Sequence, residues 1–395
     1  IGLRVFVGQR QANVSASDTS AATLQTMAER AVAMAREAPE DPYLGLADPD
    51  QLATNWDIDA LELQDPSAEP TPAALQADAL AAEAAAQSVA GVSQVQSASA
   101  AYGASEVHLA ATNGFSGGYE RTSRSISCVA ISGTGTGMER DYDGDMRIHQ
   151  SDLRDAEEIG RIAGERAIAL QGARKPQTGT FDVLFDERIS SSLIGHVLAA
   201  INGSSIARGS SWLRDSMGEH ILPEGLSLIE DPHRPRVTGT RPFDAEGLAT
   251  EKRLIVEDGV LQSWTLDLAT ARKLGLTSTG NAARSTSGPP SPSPWNIELT
   301  QGTATHADLL RDMGTGLLVT SMIGSTINPT TGDYSRGAAG LWFEHGEIAH
   351  PVNECTIAGN LRDMMKRIIP ANDARTHLSR VVPSLMIEGM TLAGA

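Results

Sequence analysis

Apolar positions return along this chain with two different periods, and the change from one to the other organises it. Leu24, Met27, Ala28, Ala31, Val32 and Ala35 recur every three or four residues, the period of a helix with one buried face, with Ser, Asp and Thr just upstream to cap it. Before them, "RVFVGQRQANVSAS" (4–17) predicts two short strands or one interrupted strand. Residues 38–70 are rich in Pro, Asp and Glu and predict a long irregular connection. In "TPAALQADALAAEAAAQSVAG" (71–91) a second helix is expected, with Thr71 as cap, Pro72 in the first turn and Gly91 closing it. Strands are predicted at 93–101, 106–112 and 123–132, with the turn cluster "NGFSGGY" between the last two. A helix over about 152–170 leads into "QGARKPQTGT", which marks a domain boundary.

The order of these elements argues an α+β fold, because parallel βαβ units would alternate them. The N-terminal domain, residues 1–175, is expected to set helices on an antiparallel sheet. The C-terminal domain, 176–395, is expected to be mostly β with one helix. There "TFDVLFDE" reads as a strand followed by the helix "ERISSSLIGHVLAA", and hairpins are predicted at Asp258-Gly259 and His345-Gly346. The Pro/Ser-rich run "STSGPPSPSPWN" (285–296) predicts an exposed, mobile loop.

Composition narrows the function classes. With 31 Lys and Arg against 49 Asp and Glu, the net charge is −18. No basic run offers cations to neutralise phosphates, so direct nucleic-acid binding is disfavoured. Nothing approaches the ~18 consecutive apolar residues of a membrane helix. Cys128 and Cys355, far apart in strand-like contexts, read as buried free thiols rather than a disulfide or a reactive thiol, which fits a reducing cytoplasm. The first residue is an isoleucine inside a strand-like stretch, so a preceding segment is expected.

Candidate chemistry gathers at two places. Around "SSLIGH" (191–196), Ile189, Leu193, Ile194, Val197, Leu198 and Ile201 form one apolar side of a helix. Ser192 and His196 are neighbours on its polar side. A hydrolytic zinc site needs two imidazoles, a third ligand and a carboxylate base, and this stretch supplies one imidazole. His345 and His350 fall on opposite arms of a hairpin. A metal held jointly by distant residues, such as His196 with His377, is the remaining possibility. No G-x-S-x-G elbow occurs, and the glycines of "ISGTGTGME" (131–139) read as a turn rather than a phosphate cradle. The second place is "GDYSRGAAGLWFEHGEIAHPVNECTIAGNL" (332–361), where Asp333, Tyr334, Ser335 and Arg336 enter a strand among glycines. Small residues there would let an extended peptide approach a sheet edge, and Asp333 to Arg336 are its candidate contacts.

Eight segments, in order over nearly the whole chain, resemble the PmbA/TldE family, the "modulator of DNA gyrase" group and sister branch of the TldD metallopeptidase. They are "RVFVGQRQANVSASD", "TNGFSGGYERTSRSISC", "LIGHVLAAINGSSIARGSSWLRDSMGEHILPEG", "RPFDAEGLATEKRLIVEDGVLQSW", "ARKLGLTSTGNA", "MGTGLLVT", the glycine-rich segment 332–361 and "PSLMIEGMTLAGA". The resemblance implies a two-domain α+β, cytoplasmic protein that works with a TldD-like subunit on leader peptides and small unfolded polypeptides. A homodimer remains open for the isolated chain. In that pair TldD carries zinc or iron on His-Glu-x-x-x-His, with a cysteine nearer the C-terminus. Through the shared Gly-His, the motif's first histidine falls on Ser191, its glutamate on Ser192 and its last histidine on His196. No cysteine follows Cys355. The resemblance therefore implies no metal in this chain and a role in shaping the peptide channel. A self-sufficient metallopeptidase using scattered histidines and a gyrase-modulating binding protein are the alternatives.

Overall fold

The computed structural model describes residues 1–394, the side chain of Ser325 excepted. Strands β1 (Gly2–Val7) and β2 (Arg10–Ser15) form an antiparallel hairpin that turns at Gly8, whose φ is 60°. Helix α1 (Ala21–Glu37) packs on it through Met27, Ala31 and Ala35, and Ser20 caps it by accepting from the Thr23 amide. Residues 38–70 are mostly irregular, with a 3-10 turn at Pro49–Gln51 and a single helical turn, α2 (Ile58–Leu61).

Helix α3 (Pro72–Ser88) begins as its sequence predicts: the Thr71 hydroxyl accepts from the Ala74 amide at 3.2 Å and Pro72 occupies the first position. Strands β3 (Val92–Ala110), β4 (Ser116–Ser132) and β5 (Glu139–Arg147) form a meander in that order. The two strands expected at 93–101 and 106–112 are one strand of 19 residues. It is a sheet edge with most side chains exposed, so no alternation is imposed on it, and Tyr102-Gly103-Ala104 pair across to β4 without a break. The glycines of "GTGTG" make the short turn between β4 and β5. Helix α4 (Ala156–Ala169) crosses α3 so closely that a Cβ at Gly160 would overlap the Ala82 carbonyl. Ala82, Ala86, Ile126, Cys128, Ile159 and Ala163 fill the core between helices and sheet.

In the second half, β6 (Gly179–Phe185) leads into α5 (Glu187–Ala200), followed by α6 (Gly203–Arg208). Short strands β7 (Leu228–Glu230), β8 (Arg253–Glu257) and β9 (Val260–Leu261) come next, then α7 (Leu268–Leu274). A two-residue ladder joins β10 (Ala282–Ala283) to β11 (Ser291–Pro292), and β12 (Ile297–Leu299) and α8 (His306–Met313) follow. The chain ends with β13 (Gly316–Ile327), β14 (Asp333–Glu344), β15 (Glu347–Asn360), α9 (Leu361–Met365), β16 (Ile368–Pro370), β17 (Arg380–Val381) and β18 (Leu385–Ala393).

The principal sheet runs β15-β14-β13-β6-β18-β16 and curls until Thr356–Ala358 of β15 pair with Thr391–Ala393 of β18. Five strands thus close into a barrel at that end, which leaves no free edge among them there. A smaller sheet, β17-β12-β7-β8-β9, lies beside it. Both predicted hairpins are present, with positive φ at Asp258, Gly259, His345 and Gly346 as a tight two-residue turn requires.

Two expectations need correction. The C-terminal part carries four further short helices besides α5, each with too few turns to imprint a period on the sequence. The 285–296 run is exposed at 285–287, 289 and 291 but anchored at its far end. Asn202 donates to the Pro292 carbonyl at 2.8 Å, and the Trp295 amide donates to Glu230 at 2.6 Å. Proline lacks a donor yet still accepts, so a proline-rich run can be anchored through its carbonyls.

Candidate functional site

Helix α5 is built to hold a fixed position. Asp186 caps it by accepting from the Arg188 amide at 3.0 Å, and Glu187 complements the positive end of the helix in the first turn. Leu193, Ile194, Val197 and Leu198 are buried against the barrel core. At the same end Arg188 donates to Asp141 of β5 at 2.9 Å, with both side chains nearly buried, and Arg375 donates to Glu187 at 2.6 Å. One end of the helix is therefore clamped between the meander and the chain near β17.

On the helix's other side the hydroxyl oxygen of Ser192 and Nε2 of His196 are both buried and have no hydrogen-bond partner among the described residues. The His196 ring meets the Tyr334 ring edge to face, with centroids 5.8 Å apart and planes at 74°. Tyr334 is 2 % exposed, its hydroxyl points at the Met322 sulfur at 3.5 Å, and burial pushes its phenol up to about 12. Arg336 lies two residues along β14, on the same face by strand alternation, and donates from Nε to the Gly324 carbonyl at 2.8 Å. Burial, and then the charge of Arg336, hold the His196 imidazolium below its ordinary range, so the ring is kept neutral.

The structure thus brings Ser192, His196, Tyr334 and Arg336 together from two regions that are distant in sequence. It separates the other candidates from them. Ser191 lies about 100° round the helix from Ser192, off the side that His196 shares. Asp333 is exposed, with its carboxylate accepting from Thr331 Oγ1 at 2.6 Å and Asn360 Nδ2 at 3.1 Å, a bracing of the turn into β14. Ser335 alternates to the opposite face. Met322 was not legible, because nothing near it in sequence signals a site.

The sheet-edge reading of 332–345 does not hold. β14 is an interior strand: Tyr334 pairs with both Ile327 and Gly359, and Ser335 with both Thr326 and Ala358. Its backbone groups are satisfied on both sides, so an added peptide strand has nowhere to pair. The glycines there serve sheet packing instead: a Cβ at Gly340 would overlap the Leu318 carbonyl.

The donor set around His196 does not fit a divalent metal. Among the described residues it comprises one imidazole, hydroxyls, a thioether and a guanidinium, with no carboxylate or thiolate, and Arg336 adds a like charge near where a cation would sit. Among the described residues no three His, Cys, Asp or Glu side chains are grouped so as to hold an ion. His377 lies 3.6 Å from Asp145 with arginines 147, 375 and 154 around it, and shares no partner with His196. His350 lies opposite Trp342, and His345 is in the hairpin turn. Both cysteines are buried free thiols pushed up to about 11 by burial, Cys355 donating to the Ala338 carbonyl at 3.2 Å. No helix among the described residues is long and apolar enough to cross a membrane.

Comparison with known proteins places this geometry in a family. Residues 178–394 match the PmbA/TldA metallopeptidase C-terminal domain, residues 65–171 its central domain and residues 1–35 its domain 1. The chain is 36 % identical over 397 residues to the metalloprotease PmbA of Escherichia coli O157:H7, covering 100 % of this chain and 85 % of that protein. A PmbA homologue of Haemophilus influenzae is 34 % identical with the same coverage of both. A solved Bacteroides thetaiotaomicron protein described as a candidate modulator of DNA gyrase superposes with a TM-score of 0.90 at 28 % identity, covering 100 % of this chain and 88 % of that one. TldE of Thermococcus kodakarensis shares the fold, with a TM-score of 0.85 at 20 % identity over 99 % of this chain and 89 % of that one.

Proposed function

The chain belongs to the PmbA/TldD metallopeptidase family, and we propose that within it this protein is a TldE-like subunit without a metal of its own. Its task is then to complete the peptide channel of a TldD-like partner that trims leader peptides and small unfolded polypeptides. One observation carries the reading. The helix that the resemblance aligns with the metal helix presents Ser191, Ser192 and His196, and among the described residues the charged group acting on His196 is the cation Arg336. A neutral imidazole packed edge-on against a buried tyrosine acts as a structural residue, with neither a second ligand nor a general base beside it among the described residues. A cytoplasmic location and the absence of direct nucleic-acid contact follow from the same reading and from the net charge of −18.

The name metalloprotease borne by the relatives favours a second reading, a peptidase complete in one chain. One experiment separates the two. The purified chain is assayed for bound zinc and iron and for cleavage of an unstructured peptide, alone and with a TldD-like subunit. The proposal expects less than stoichiometric metal and no cleavage alone, and cleavage with the partner that exceeds what the partner does by itself. A tightly held metal with cleavage by the isolated chain would establish the second reading instead.

A further inference from the structure

Away from α5, a cavity of about 360 Å³ opens between the tip of the β3–β4 hairpin and the loops around β10 and β11. That volume is at the small end of the ~300–1,000 Å³ usual for ligand sites. Two guanidiniums line it, Arg241 and Arg284. Arg241 lies over the Trp295 ring at 5.5 Å, and its Nη1 donates to the carbonyls of Thr238 and Thr240 at 3.2 and 2.7 Å. Arg284 donates from Nε to the Gly288 carbonyl at 3.1 Å, while its Nη2 is buried with no partner among the described residues. Neither guanidinium forms an ion pair with a carboxylate among the described residues, in a chain where acids outnumber bases 49 to 31.

The acid on the wall does not neutralise them. Asp244 turns to the backbone, accepting from the amides of Glu246, Leu248 and Ala282 at 2.8, 3.0 and 3.1 Å. Arg121, next to Arg241, donates to the same two carbonyls, so positive charge is concentrated there. A buried cationic donor without an acceptor is costly, and an anion in the cavity would remove that cost. The planar fork of arginine matches a carboxylate with two parallel hydrogen bonds. Leu109 and Phe243 also line the cavity and give it apolar surface.

We propose that this cavity binds the C-terminal carboxylate of a short peptide ending in an apolar residue. Carboxylate and side chain hang from one Cα, so a single residue can meet the guanidiniums and the apolar surface together. Inorganic phosphate would meet only the first. The site belongs to the isolated chain and does not rest on the subunit reading given above.

The test is calorimetric titration of the full-length protein with N-acetyl-Ala-Leu-Phe as free acid, with the same peptide as C-terminal amide, and with inorganic phosphate. The free acid is expected to saturate one site. The amide, and the acid on Arg284→Gln or Arg241→Gln protein of unchanged melting temperature, should bind roughly tenfold to a hundredfold more weakly, the loss of one charge-assisted hydrogen bond. The acid-to-amide comparison needs no variant, so misfolding of one leaves the proposal exposed to refutation. Equal affinity for acid and amide, no saturable binding, full affinity in both variants, or binding of phosphate without the peptide would each overturn it.

Discussion

At the scale of single residues, the site around α5 turns on how His196 is kept neutral. Its pKa lies below the ordinary 6.5 because burial disfavours the charged ring and Arg336 adds like charge. A depressed folded-state pKa means that the stability tied to the neutral ring is present above 6.5 and is lost as pH falls through the folded value. Titration of the imidazole by NMR should give a midpoint below 6.5, and Arg336→Gln should raise it. A midpoint at or above 6.5 in the parent protein would show the ring to be solvated. Restoring the peptidase letters tests the metal reading at the same scale. Ser191→His with Ser192→Glu supplies a second imidazole and a carboxylate, yet still no third ligand, and leaves Arg336 in place. The double variant is expected to release its zinc on dialysis and to cleave nothing. Zinc retained at one per chain, with cleavage, would reveal a ligand that the described residues do not show.

At the scale of elements, the close crossing of α3 and α4 gives the sharpest stability test. The three atoms nearest a methyl at Gly160 are all Ala82 backbone, which cannot move aside, whereas at Gly164 it meets Val89 Cγ2 at 2.8 Å, Val89 Cβ at 3.0 Å and the Ala86 carbonyl at 3.1 Å. Gly160→Ala should cost ~1–3 kcal/mol by overpacking. Gly164→Ala should cost less than Gly160→Ala, because its closest contact is a side chain that can shift in part and alanine favours the helix. Urea unfolding of both decides, and an undisturbed Gly160→Ala protein would contradict the packing described. These helices were legible in sequence because capping residues coincide with a 3.6-residue period at α1, α4 and α5, and with an alanine-rich run at α3. The hairpins at Asp258-Gly259 and His345-Gly346 were legible because their turn residues accept positive φ. What failed shares one cause. The continuity of β3, the interior place of β14 and the anchoring of 285–296 are all set by partners remote in sequence, and local pattern carries no record of them. The same divide runs through the site. Ser192 and His196 could be read from helical spacing, but their meeting with Tyr334 could not, nor could the pairing of Arg241 with Arg284 around one cavity.

At the scale of the whole molecule, a single carboxylate joins three distant parts. Glu246 accepts from the Leu268 amide at the start of α7 at 2.9 Å and lies 3.6 Å from Arg4 of β1, so it fastens the N-terminal hairpin to the C-terminal half. It does so in an awkward setting. Burial, followed by the neighbouring charge of Asp244, pushes its pKa up to about 7, and Asp244 itself is pushed up to about 6 by burial. A folded-state pKa raised above the ordinary 4.5 means that Glu246 stabilises the fold fully below 4.5 and loses that contribution as pH rises through 7. Its ion pair with Arg4 opposes this loss but ranks below burial among the causes of the shift, so the direction stands. Glu246→Gln keeps an acceptor for the Leu268 amide and removes the titration. Melting temperatures of parent and variant, taken from pH 5 to pH 8, should therefore diverge, the parent falling relative to the variant as pH rises. A gap that stayed constant across that range would show that Glu246 does not titrate there. A gap that moved the other way would give its charged form, paired with Arg4, the larger share in holding the hairpin to the rest of the protein.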